Sequence, residues 1–220
     1  SLVADTSIST TNAAVTFDST LNSATSTVKG LTIGAGSGTV SFGAAVGNIY
    51  GLGATSISAG SLTAASTVSI ASTASITTTT SSTGTQSYSG AVTKGGTSSF
   101  TSSNSNITFS GTLNSLTSAR AVTIAAGSGT VTFAGAVGGS LALGATTITA
   151  GTLNISDDFY TTGTTTINAT SMQTAGSKAF SVISSANATL NVDSLFVGAG
   201  MTGSSWGTLT IQPSTNTTTI

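Results

Sequence analysis

"GAGSGTVSFGAAVGN" (34–48) and "AAGSGTVTFAGAVGG" (125–139) are nearly the same string, set 91 residues apart. Inside each, Val and Phe alternate with Ser or Thr, the period of two expected of a strand with one buried face. Each opens on a Gly-Ser-Gly cluster, a turn signal because glycine adopts positive φ at no steric cost. The match extends outward through its apolar anchors. Leu31, Ile33, Val40, Phe42, Val46, Leu52, Ile57 and Leu62 fall opposite Val122, Ile124, Val131, Phe133, Val137, Leu143, Ile148 and Leu153 at a constant offset. Upstream, "VTFDSTLNS" (15–23) returns as "ITFSGTLNS" (107–115) after a shift of one residue. Residues 15–63 thus repeat as 107–154, and 155–220 read as further, more divergent coils of one continuous β-repeat region, 1–220.

Strand patterns fill the rest of the chain. "AAVTF" (13–17), "ATSISAGSLT" (54–63) and "STVSIASTASIT" (66–77) all alternate, and Thr and Val are good strand residues. With 27 glycines and no sustained 3.6-residue period, the chain carries almost no helix signal. The predicted class is all-β.

Only 4% of the 220 residues are charged, against about 25% in ordinary soluble proteins. Disordered chains combine low hydrophobicity with high net charge. Here the net charge is -1 and the mean hydropathy is +0.37, which favours a packed chain. Lys29, Lys94, Arg120 and Lys178 stand singly and form no phosphate-neutralising stripe, so nucleic acid is not an expected partner. No apolar run is long enough to span a bilayer as a helix, so membrane insertion is not expected. Without cysteine there is neither a disulfide framework nor a thiolate metal site.

Two architectures accommodate a repeat of about 90 residues. One is a pair of tandem immunoglobulin-like β-sandwiches, each about 100 residues with seven short strands. The other is a parallel β-helix, a β-solenoid in which about four coils of 20 to 24 residues make one repeat and stack about 4.8 Å apart. The sole Trp206 and the sole Pro213 lie outside both repeats, unlike the buried Trp of a sandwich module. Small hydroxyl and amide side chains suit stacked ladders and tight corners. The solenoid is the favoured expectation.

"GSGTVTFAGAVGG" (127–139), "LALGATTITAGTLNI" (141–155), "TGTQSYSGAVT" (83–93) and "LTIQPSTNTTTI" (209–220) resemble the β-strand repeats of filamentous haemagglutinin-like exoproteins, large bacterial surface proteins. The resemblance spans nearly the whole chain. It implies a right-handed parallel β-helix, exported and exposed on the bacterial cell surface, working as a structural or adhesive fibre or in biofilm. It also implies an interior segment or processed subunit, since the family's secretion domain and anchor have no counterpart in these residues. Expected partners are neighbouring segments or further copies of the chain, surface glycans, or host and cell-surface receptors.

Candidate chemistry is sparse. All five acids are aspartates, Asp5, Asp18, Asp157, Asp158 and Asp193, and there is no histidine. Acid–base hydrolysis needs two titratable groups within reach. Only Asp157 and Asp158, in "NISDDFYTTG" (154–163), are adjacent, and strand neighbours point to opposite faces. They would act together only in a loop, where they are also the candidate calcium ligands, though calcium needs several more oxygens. A serine nucleophile would need a positioned base, which histidine cannot supply here. The chain is therefore read as no enzyme, with no cofactor.

Thr runs at 77–80, 164–167 and 217–220 raise an ice-binding face, which would require T-x-T on every coil; these runs are irregular. Phe17, Phe42, Phe109 and Phe133 recur with the repeat and are expected core anchors. Tyr50, Tyr88, Phe159, Tyr160 and Trp206 do not recur. Among them Trp206, Tyr160 and Tyr88 are the ligand-contact candidates of a glycan-binding alternative.

Overall fold

The computed structural model describes residues 1–70, 74–78, 84–198 and 207–214. All described strand pairs are parallel, and the chain is a β-solenoid of about 8 turns. Sandwich domains are built from antiparallel sheets, so the tandem-sandwich alternative is excluded.

Each coil has three faces. The first is formed by Thr6–Ser9, Leu31–Gly34, Thr55–Ala59, Ala74–Thr78, Ser98–Ser102, Val122–Ala125, the leading halves of Thr146–Ile155, Thr165–Thr174 and Ala188–Val197, and Leu209–Gln212. The second runs from Val15–Phe17 through Thr39–Phe42, Ser61–Ala64, Gln86–Tyr88, Ile107–Phe109 and Thr130–Phe133 into the trailing halves of the three long strands. The third holds Val68–Ile70, Val92–Lys94, Leu113–Ser115, Phe159–Thr161 and Phe180–Val182, joined through single bridges at Leu21, Val46 and Val137.

Alternation fixes which residues fill the interior. On the first face Ile33, Ile57, Phe100, Ile124, Ile148, Ile167 and Leu190 lie in one inward column, all buried. A matching column on the third face runs Leu21, Val46, Val68, Val92, Leu113, Val137, Phe159, Phe180. Aromatics stack between coils: Tyr88 on Phe109 at 4.8 Å, Phe109 on Phe133 at 5.4 Å, Phe159 on Phe180 at 5.2 Å. Phe42 is buried, and Phe17 is half-buried against it at 5.2 Å. The outward column of the first face is hydroxylic, with Ser7, Thr32, Ser56, Thr123, Thr147, Thr166 and Thr189 among its members.

The 91-residue offset is four coils. From Ile33 the register advances to Ile57, Ile76, Phe100 and Ile124, steps of 24, 19, 24 and 24 residues. From Ile124 it advances to Ile148, Ile167, Leu190 and Ile211, steps of 24, 19, 23 and 21.

In the coils from Ile33 to Ile57 and from Ile124 to Ile148 most of the extra length sits on the third face, whereas Val68–Ile70, Val92–Lys94 and Leu113–Ser115 pair there one to one. Val46 and Leu52 bridge to Val68 and Ile70, so residues 47–51 bulge out where the shorter coil has only Ser69. Gly47 starts the bulge at φ 70, and Asn22 Oδ1 accepts the Ile49 N–H at 3.1 Å. The second copy repeats the device: Val137 and Leu143 bridge to Phe159 and Thr161, Gly138 has φ 69, and Asn114 Oδ1 accepts the Ser140 N–H at 3.1 Å.

Candidate functional site

The polar residues that stand out from this hydroxylic surface gather where the second face turns into the third, in the coils after Thr146. The strand Thr146–Ile155 ends, residues 156–158 turn the corner, and Phe159–Thr161 begins with Phe159 buried in the core column. That anchor places Asp157 and Asp158 outside, at a corner and not on a strand.

Both carboxylates are engaged by the next coil. Asp157 Oδ1 accepts from Lys178 Nζ at 2.6 Å and from the Asp158 N–H at 2.8 Å. These two bonds, led by the one from Lys178, hold its pKa below the ordinary value of 3.8. Asp158 Oδ1 accepts the Ala179 N–H at 2.9 Å. Tyr160 follows on the outer side of the third face, where desolvation and then the charge of the neighbouring Asp158 raise the phenol pKa.

As calcium ligands Asp157 and Asp158 are corrected by this geometry. An ammonium already occupies the cation position beside Asp157, and Asp158 is tied to backbone. Among the described residues no three acids, histidines or cysteines gather closely enough to hold a metal.

The aromatic candidates separate. Tyr88 is corrected from ligand contact to core: it is 1% exposed, its hydroxyl donates to Gln86 Oε1 at 3.0 Å, and burial pushes its pKa well up. Trp206 lies outside the described residues. Tyr160 stays at the surface beside the Asp157–Lys178 pair. Of the Thr runs, Thr166 joins the outward column with Thr147 and Thr189, but the second outward column reads Thr149, Asn168, Asn191, so T-x-T does not persist from coil to coil.

Residues that the sequence pattern did not mark as ligand contacts complete the corner. Asn154, Gln173 and Phe196 occupy successive coils of one outward column on the second face. Gln173 Nε2 donates to Asn154 Oδ1 at 2.7 Å, and the Phe196 side is 66% exposed. They flank a cavity of about 220 Å³ that also touches Ser156, Thr174 and Gly176. The signal that finds them is coil length. Steps of 19 and 23 residues carry Asn154 to Gln173 to Phe196 on the second face, and a step of 21, the one that carries Phe159 to Phe180 on the third, carries Asp157 to Lys178.

Compared with protein families, curated proteins and solved structures, the chain matches none.

Proposed function

We propose that this chain is a non-catalytic structural and adhesive segment of a bacterial extracellular fibre. The observation that carries the reading is continuity. Among the described residues, inward columns recur from coil to coil on all three faces, and backbone hydrogen bonds link coil to coil along the same axis. Ten first-face rungs span nine steps, about 43 Å at about 4.8 Å per coil. Such a stack is quasi-one-dimensional, each coil stabilised by its neighbours, and suits a rod under tension better than a closed pocket.

The sequence resemblance to haemagglutinin-like exoproteins supports placement at the cell surface. Among the described residues, Thr6–Ser9 and Leu209–Gln212 each have a single pairing neighbour on the first face. A further coil stacking on either edge would be a heterologous, non-closing contact, the kind that builds filaments.

Cryo-electron microscopy of concentrated protein, with sedimentation across the same concentrations, tests the reading. Filaments with an axial repeat near 4.8 Å are expected. A monodisperse monomer at every concentration overturns self-assembly by this segment.

A further inference from the structure

We propose that the groove beside Phe196 binds a neutral saccharide. The argument begins with an interruption. Along its outward column the second face reads Thr16, Ser41, Thr63, Ser87, Thr108 and Thr132, and then changes to Asn154, Gln173 and Phe196. Coil stability does not call for an exposed phenylalanine at an outward position that hydroxyls fill elsewhere. Its ring is a large apolar surface left in water, of the kind that stacks on the C–H face of a sugar.

Amides stand at the right place to complete such a contact. Gln173 is one coil from Phe196 and Asn154 is two, at about 4.8 Å per step. Their mutual bond uses one Gln173 N–H and one lone pair on Asn154 Oδ1. Gln173 Oε1 and the Asn154 amide N–H groups are left to accept from and donate to vicinal hydroxyls. The cavity of about 220 Å³ is below the 300 to 1,000 Å³ of drug-sized sites, so it holds a single ring while the rest of a glycan follows the face.

Charge selects the ligand class. The nearest cation is Lys178, and Asp157 neutralises it at 2.6 Å. No free positive charge is offered to a carboxylate or sulfate, so neutral sugars are preferred over sialylated or sulfated ones. The inference gives the proposed adhesive segment its partner, yet it does not depend on filaments, because every contact lies within one chain.

The test uses the whole chain at a concentration where sedimentation shows monomer. Neutral oligosaccharides of glucose, galactose, mannose and N-acetylglucosamine are titrated and followed by the NMR side-chain amide signals of Asn154 and Gln173. Saturable shifts with at least one of these are expected. Phe196→Ala and Gln173→Ala should each weaken binding about tenfold or more. Thr63→Ala, on the same face but remote from the groove, should not, and matching β-sheet circular dichroism verifies that the variants fold. Absence of binding across the panel, binding indifferent to both groove variants, or preference for sulfated or sialylated sugars each overturns the proposal. None of these outcomes bears on whether the chain forms filaments.

Discussion

Lys94 Nζ lies 2.7 Å from the backbone oxygen of Arg120 and 3.0 Å from that of Ala121, in a side chain that is 1% exposed. Both oxygens already accept coil-to-coil bonds, from the Gly144 and Ser98 N–H groups. The ammonium therefore braces the loop before Val122 through second lone pairs. Desolvation, and then the Arg120 charge, lower its pKa from 10.5 to about 8. Because the unfolded chain holds this proton more tightly, stability is reduced below about pH 8 and recovers as pH rises toward 10.5. Urea melts across this range should show the rise, and Lys94→Met, which leaves no carbonyl unpaired, should flatten it. An unchanged profile in Lys94→Met would mean that another group is responsible.

Tyr88 opposes that slope at higher pH. Its buried phenol is held protonated well above the ordinary value of 10.0, so the folded chain retains a proton that the unfolded chain loses, and stability falls as pH climbs past 10. Tyr88→Phe should make the fall shallower. At neutral pH the same variant loses the bond to Gln86 Oε1 at a cost of about 1 kcal/mol. Gln86→Leu should cost more, because the Thr101 carbonyl loses the donor that Gln86 Nε2 supplies at 2.8 Å. Equal losses in the two variants would contradict this ordering.

Gly127 turns the chain from the first face to the second at φ 57, stacked one coil from Asn104, whose Oδ1 accepts the Ser128 N–H at 3.0 Å. A β-carbon there meets both the left-handed backbone penalty and the Asn104 side chain. Gly127→Ala should destabilise by about 1 to 3 kcal/mol. Asn104→Ala, which loses the bond but opens the space, should partly rescue the double variant. A thermal-melt cycle measures that coupling, and strict additivity would show that steric contact with Asn104 plays no part.

The inward columns were legible because alternation is local: Val40 and Phe42, or Val131 and Phe133, declare their face within three residues. The average coil was legible as well, about four coils of 20 to 24 residues to the repeat, but the position of the short 19-residue coils was not, because the extra residues of long coils lie in turns such as the bulge 47–51, whose polar and glycine content reads as any turn. Tyr88 shows the consequence. A comparison at 91-residue spacing sets it opposite Ala179, whereas one coil away it stacks on Phe109. Lys178 and Phe196 were illegible for the same reason, since their partners lie a coil away and only the register brings them together.

Asp157 and Lys178 make the one ion pair among the described residues, and both side chains remain about a third exposed or more. Exposed pairs are screened by salt, so its role is to hold the corner, not to stabilise the whole stack. Asp157 has a folded pKa below 3.8, so its contribution is present above that value and is lost as pH falls through the folded one. Asp157→Asn should therefore reduce the acid sensitivity of the coils around 157–179, most clearly at low ionic strength. Amide hydrogen exchange of Ala179 is the control within the same corner: its N–H is held by Asp158, and its protection should survive the substitution. Loss of Ala179 protection in Asp157→Asn would instead make the two carboxylates a single cooperative unit, with the ion pair setting the geometry of the turn at 176–178.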